Sequence, residues 1–361
     1  MRLLLLTLLA SGCGQGLGGA DLGTDLAVPD LTIPDLAQPD LRPSPPDLLL
    51  PDCVDNDGGV AQCPMVTGTI KKQFVVNSLQ VPQQRADYAY DLNGDGKPDN
   101  QFGNIIGALA AQNIDSQTPV DSAIAGGTDV ILIDEISGDA TFTTDACAAS
   151  SVYPGINHGS PKFDGTDVFA IDPSKQPAGL FRGSIFVSGF DSAPPPQTAG
   201  APVKLLVRLP LFGSLSPLEM TLTGAHLKYK LTGNNLMQGQ INGAVRKAEV
   251  DHSLIPQMAA NFDALAQTGT SQGTQLLAIF DTGGDPSAAC GATCQNLDGS
   301  CAASGDHMIS DCEVATNAII KNVLAPDVQM CTAGRYAPSA ANSVKDSLSI
   351  GLAFTAVPAT F

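Results

Sequence analysis

Apolar and polar residues alternate with period two in three runs of the chain. Val203, Leu205, Val207, Leu209 and Leu211 form the first, and Leu348, Ile350, Leu352 and Phe354 form the last. Between them, Ala225, Leu227, Tyr229 and Leu231 point one way, while His226, Lys228, Lys230 and Thr232 point to a solvated face. Alternation of this kind marks strands with one side in a core. Lys72–Leu79, Asp129–Ile136, Asp167–Ile171, Leu180–Ser188, Gly239–Val245 and the apolar run Leu276–Phe280 add further strands. So many half-buried strands between Gly and Pro turns predict a mainly β fold: an antiparallel β-sandwich or barrel-like domain that protects its edges. A few short helices accompany it. Phe102, Ile105, Ile106, Leu109 and Ala110 recur at helical spacing and predict a helix over Gln101–Gln112, with Asn100 placed to cap it. The same spacing predicts helices at Leu254–Ala266 and Asp311–Leu324.

Tyr88–Leu92 leads into the stretch with the most specific chemistry, Asp91-Leu92-Asn93-Gly94-Asp95-Gly96-Lys97-Pro98-Asp99. Oxygen-bearing side chains at loop positions 1, 3, 5 and 9, with glycine at 6 for a sharp turn, suit a hard cation with six to eight oxygen ligands. The stretch resembles EF-hand-type loops and, more closely, the short acidic thrombospondin-type repeats of extracellular proteins. That resemblance implies a structural Ca2+ held by the side chains of Asp91, Asn93 and Asp95, the carbonyl of Lys97, and Asp99 directly or through water. Phe102 stands where an EF-hand places its bidentate Glu, so Asp87 or Asn100 is the substitute to look for. Without that Glu the helix-opening lever of calcium sensors is missing, which leaves a structural role. The alternative is a plain surface turn, since Asn-Gly and Asp-Gly favour turns on their own. Asp298–Glu313 resembles a worn calcium loop, with Ala302 and His307 at positions where a ligand and the glycine belong.

The first residues give an address. Arg2 precedes a short apolar run, Leu3 to Ala10, and Ala10-Ser11-Gly12-Cys13 ends in small residues before a cysteine. This resembles a bacterial lipoprotein signal with its lipobox, which implies cleavage before Cys13, acylation of Cys13 and anchoring at the outer membrane or cell surface. From Gly14 to Asp52 a Pro-Asp-Leu unit repeats, and proline every fifth residue forbids helix. A disordered, extended stalk follows, which at ~3.1 Å per residue reaches roughly 120 Å. The expected organisation is a signal peptide over 1–12, a lipidated cysteine and Pro-rich stalk with a small Cys loop over 13–64, and a calcium-stabilised β-rich domain over 65–361. A Cys-rich subdomain over 282–335 is an optional further division.

Composition narrows the partners. Thirty-six acidic against 18 basic residues argue against nucleic acid and against an anionic membrane surface as partners, and the lack of Trp with only 5% aromatic residues argues against a glycan platform. Apart from Cys13, eight cysteines remain: Cys53, Cys63, Cys147, Cys290, Cys294, Cys301, Cys312 and Cys331. An even number in an exported chain predicts disulfides in preference to zinc, with Cys53 and Cys63 bracketing a short loop as a natural pair. Gly269-Thr270-Ser271-Gln272-Gly273 matches the hydrolase nucleophile pattern, but a predicted helix precedes it and a strand follows, the reverse of what that motif needs. His158 beside Ser160, Asp164 and Asp167 is the other enzyme-like cluster. The sequence therefore favours a non-enzymatic, membrane-anchored lipoprotein with an envelope or extracellular ligand it does not reveal. A carrier of a lipid or apolar small molecule is the alternative, and an exported hydrolase the second.

Overall fold

A computed structural model describes residues 70–175, 178–192, 202–213, 215–232 and 236–361. The signal peptide, Cys13, the Pro-Asp-Leu repeats and the Cys53–Cys63 pairing lie outside the described residues. In chain order the elements are β1 (Ile70–Gln80), α1 (Gln101–Ala111), α2 (Gln117–Gly126), β2 (Val130–Ser137), β3 (Thr144–Gly155), β4 (Gly179–Phe186), β5 (Gly189–Ser192), β6 (Lys204–Leu209), β7 (Leu218–Thr232) and β8 (Leu236–Arg246). There follow α3 (Lys247–Glu249), a π turn (Val250–Leu254), α4 (Ile255–Ala266), α5 (Ser271–Phe280), α6 (Asp311–Thr316), α7 (Ala318–Val323), β9 (Cys331–Thr332), β10 (Arg335–Tyr336) and β11 (Ser347–Pro358).

Nine strands pair in the order β5-β4-β3-β2-β1-β11-β8-β7-β6, every neighbour antiparallel. The pairs Gly189↔Lys230, Phe190↔Tyr229 and Asp191↔Lys228 join β5 to β7 and close all but β6 into an eight-stranded barrel. Closure removes the open edges that an exposed sheet leaves as templates for aggregation. Of the two architectures the alternation allowed, the barrel is the one formed.

Strand phase fixes what faces inward. On β2, Ile131 and Ile133 join the main core, while Val130 and Leu132 pack outside with Val75 and Phe169 in a second layer. The alternation on β4 is strict: Phe181 and Ile185 are buried, and Leu180 and Phe186 are exposed. Phe74, Phe181, Phe190, Leu227, Ile241 and Phe354 occupy the interior, each at most 3% exposed. An eight-stranded barrel is just wide enough for its side chains to fill. The enclosed space beside Leu79, Val152, Leu205 and Leu352 measures only 20 Å3, about one water.

Several expectations need correction. Leu276–Phe280 belongs to helix α5, because Leu276 and Phe280, four apart, bury the same face and the Thr270 hydroxyl caps the Gly273 amide at 3.2 Å. Asp311–Leu324 is two short helices, broken at Asn317, whose side chain accepts from the Ile319 amide. Leu180–Ser188 stops being strand at Phe186 and turns through Val187 and Ser188. Asp167–Ile171 makes only isolated bridges, Val168↔Thr360 and Gly155↔Ile171. His226 is on the outer face of β7 as its phase requires, yet it is fully buried beneath Tyr90.

Cys290 pairs with Cys301 and Cys294 with Cys312, and Cys147 and Cys331 are disulfide-bonded too. The two closed loops staple the segment over which the worn calcium loop was read. There Asp298 and Asp306 accept from the Ser300 and Met308 amides, and Glu313 forms a capping box with Ser310 and accepts from the Gly283 amide.

A carboxyl group sits on the inner face. Glu135 is fully buried, flanked in register by Lys72 on β1 and Ser150 on β3, with neither carboxyl oxygen in a well-formed hydrogen bond. Burial pushes its pKa from 4.5 to about 7, with Asp134 adding to the rise and Tyr229 and Lys72 opposing it. A carboxyl raised in the folded state holds its proton there longer than in the unfolded chain. The stability that Glu135 contributes is therefore greatest below pH 4.5, falls as pH rises towards about 7, and is level above that. Glu135→Gln should flatten this decline, which amounts to about 3 kcal/mol. Urea unfolding midpoints across this pH range check it; a variant whose slope equals the parent's would contradict the assignment.

Candidate metal-binding turn

The Asp91–Asp99 stretch is a closed turn on the outside of the barrel. Tyr90 and Asp99 bridge its base through paired backbone hydrogen bonds of 3.3 and 2.8 Å. Gly94 and Gly96 adopt φ of 77° and 82°, a left-handed backbone that glycine enters without steric cost. The chain then winds around the Asp91 carboxylate. Its Oδ1 accepts from the amides of Gly94 and Asp95 at 2.8 and 3.1 Å, and its Oδ2 from Gly96 at 2.8 Å. Asn93 Oδ1 accepts from the Asp95 amide, Asp95 Oδ1 from Lys97, and Asp99 Oδ2 from Leu92. Each oxygen-bearing residue of the predicted ligand set thus faces the turn's own backbone, except Lys97, whose side chain is exposed.

Three side chains fasten the turn to the barrel. Leu92 is buried with Ala244, Val328, Met330 and Tyr336 in a small outer core. Tyr90 stacks on His226 at 3.9 Å between ring centroids, and His226 Nε2 lies 2.8 Å from Asp191 Oδ1. Asn100 does most. β1 ends at Gln80, paired with Ala353, and Val328 bridges Ser347, so the edge of β11 from Leu348 to Leu352 has no strand beside it. The Asn100 amide takes that strand's place: Nδ2 donates to the Gly351 carbonyl at 3.1 Å and to Asp87 at 2.6 Å, and Oδ1 accepts from the Gly351 amide at 3.0 Å. Asp327 continues the edge by accepting from the Ser349 amide at 2.8 Å. Contact is so close that a Cβ on Gly351 would meet the Tyr88 carbonyl at 2.2 Å.

Two expectations about this turn are corrected by that arrangement. Asn100 stands before α1, but its side chain makes no cap there. Asp87, the other substitute ligand considered, accepts from the amides of Gln83 and Gln84 at 2.9 and 3.1 Å. Neither is turned to the ligand set, and Phe102 is in the core.

Among the described residues, no three His, Cys, Asp or Glu side chains stand close enough together to hold a metal. The donor chemistry nonetheless suits a hard cation, since the five residues offer only oxygen. Asn93 is 3% exposed and its amide nitrogen has no partner. Asp99 is equally buried, and burial, with the Asp327 and Asp95 carboxylates nearby, pushes its pKa to about 7 against the pull of the Leu92 amide and Arg85. Arg85 lies 3.7 Å from Asp99 and 3.2 Å from Asp327, and so shares one positive charge between two buried carboxylates. Negative charge is in local excess.

The enzyme-like clusters do not assemble. Asp164 and Asp167 accept from Thr166 and from the Lys162 and Phe163 amides, and His158 packs on Phe169 at 4.5 Å. Ser271 is an exposed first residue of α5. The His226–Asp191 pair escaped the sequence reading, because period two marked His226 as solvated and no local signal announced Tyr90 above it. No family model, curated protein or solved structure matches the chain.

Asn100→Ala leaves a buried strand edge without its partner and should cost about 3 kcal/mol, from three lost hydrogen bonds and an unsatisfied Gly351 amide. Denaturant titration reads this directly. A loss under about 1 kcal/mol, the size of an ordinary surface substitution, would contradict the role given to the amide.

Proposed function

We propose that the protein is a non-enzymatic lipoprotein, anchored through Cys13 at the outer membrane or cell surface, whose barrel is stabilised by Ca2+ at the Asp91–Asp99 turn. Its role is binding or envelope structure. The observation that carries the reading is the turn itself: five oxygen donors, with Asn93 and Asp99 buried beside a second carboxylate, fastened through Asn100 to a strand edge. Asp91, Asn93, Asp95, the Lys97 carbonyl and Asp99 would hold the ion. A bound divalent cation supplies the charge that Arg85 alone shares between Asp99 and Asp327, and so strengthens the turn as a clamp on the barrel.

The aromatic and aliphatic side chains buried in the barrel weigh against a carrier of a lipid or apolar molecule, and the cavity beside Leu79, Val152, Leu205 and Leu352, at 20 Å3, accommodates neither. A hydrolase finds no support in the separate settings of His158 and Ser271. Paired cysteines agree with an oxidising location outside the cytosol.

Calcium at a hundred times its dissociation constant should stabilise the protein by about 2.7 kcal/mol and raise the melting temperature by roughly 5–10 °C over a chelated sample. Asp91→Ala should abolish the difference. Equal midpoints with calcium and with chelator would remove the ion from the account. Cys13→Ala should move the protein from the membrane to the soluble fraction of cells lysed and washed in high salt, which screens contacts with lipid headgroups; retention with the washed membranes would remove the anchor.

A further inference from the structure

The β4–β5 turn presents apolar side chains to solvent where the fold does not require it. Phe186 is 74% exposed and Val187 59%, on a two-residue turn whose residues, Val187 and Ser188, have φ of 50° and 58°. Such turns favour Asn-Gly or Gly-Gly, and a β-branched residue at positive φ is strained. The turn is not loose. The Ser188 amide donates to the Thr143 carbonyl at 3.0 Å, and the Ser188 carbonyl accepts from Leu231 at 2.8 Å. A strained backbone that holds an apolar side chain in water, and is itself held in place, points to something that contacts that side chain.

The register shows what surrounds it. Phe186, Gly189, Lys230 and Gln238 lie in one row across β4, β5, β7 and β8, and Ser184, Asp191, Lys228 and Gln240 lie in the next. Gly189 has no side chain, and a groove of 630 Å3 opens on this outer face between the Phe186 ring and the two lysines. Among the described residues lining it, Asp191 is the one carboxylate, and it is engaged by His226 at 2.8 Å and lies 3.8 Å from Lys228. An apolar tip flanked by two exposed ammonium groups thus interrupts a chain whose net charge is −18.

We propose that this end of the barrel docks on an anionic lipid bilayer, Phe186 and Val187 entering the interface and Lys228 and Lys230 meeting headgroup phosphates. The charge complementarity of Lys228 and Lys230, beside an exposed Phe186, favours a bilayer over a protein partner. The inference rests on the membrane-anchored reading for bringing the surfaces together. The test below removes the acyl group, so the two ideas fail separately.

Mature chain carrying Cys13→Ala is sedimented with vesicles of phosphatidylethanolamine and phosphatidylglycerol in equal parts, and with phosphatidylcholine vesicles. The expected result is binding to the anionic vesicles that weakens with salt. Lys228→Gln with Lys230→Gln should lower the partition coefficient roughly 30-fold, and Phe186→Ser about 10-fold or more. Val187→Gly separates function from folding: it should raise the melting temperature by relieving the turn while it lowers vesicle binding. Absence of binding to anionic vesicles, or binding equal in parent and variants, overturns the proposal. So does a dimer in gel filtration that Phe186→Ser converts to monomer, which would assign the surface to a second copy of the chain.

Discussion

The barrel has one incomplete seam, and the rest of the outer structure is organised to satisfy it. β11 runs from Ser347 to Pro358, but β1 reaches only to Ala353, so the N-terminal half of β11 is left with unpaired peptide groups beside the core. Buried peptide groups without partners are costly, and nature seldom leaves them. A side-chain amide has the same donor and acceptor as a peptide, and Asn100 uses both on Gly351. Asp327 and Ser349 complete the seam, with the Gln101 amide donating to the Ser349 hydroxyl at 2.7 Å. The acidic turn and α1 are therefore joined to the barrel by the same few atoms, and a disturbance of the turn is felt at the seam.

Charge is the second constraint. In a strongly acidic chain, several carboxylates are buried, and most have a compensating group. Asp346 lies 3.0 Å from Arg246 and accepts from the Met330 and Cys331 amides; Asp134 lies 2.8 Å from Lys71; Glu313 accepts from two backbone amides. Glu135 and Asp99 are compensated less well, and both are pushed to about 7. The first lies on the barrel's inner face, where a proton is the natural remedy. The second lies at the turn, among oxygen-bearing side chains, where the proposed divalent cation would be the stronger one.

How much of this the sequence disclosed depended on whether the signal was local. β6, β7 and β11 carry their own alternation, and α1 its own helical spacing. β3 does not: Ala148, Ser150 and Val152 face inward, and small residues there blur the contrast between its two faces. α5 read as a strand because Leu276–Phe280 is short and almost wholly apolar, a length at which helix and strand look alike. The oxygen-bearing positions of the turn were legible from spacing. The partner of Asn100 was not, since Gly351 lies 251 residues away. His226 was misplaced for the same reason: its outer face is covered by Tyr90, from a distant part of the chain.

The central claim is that the Asp91–Asp99 turn secures the β11 edge through Asn100 and is itself tightened by a divalent cation. Amide hydrogen exchange at Gly351, followed by NMR with calcium and with chelator, tests it most directly. The account predicts a Gly351 amide protected to the level of its β-ladder neighbours, with protection rising when calcium is added. A Gly351 amide that exchanges as fast as the exposed turn residues, or one indifferent to calcium, would contradict it.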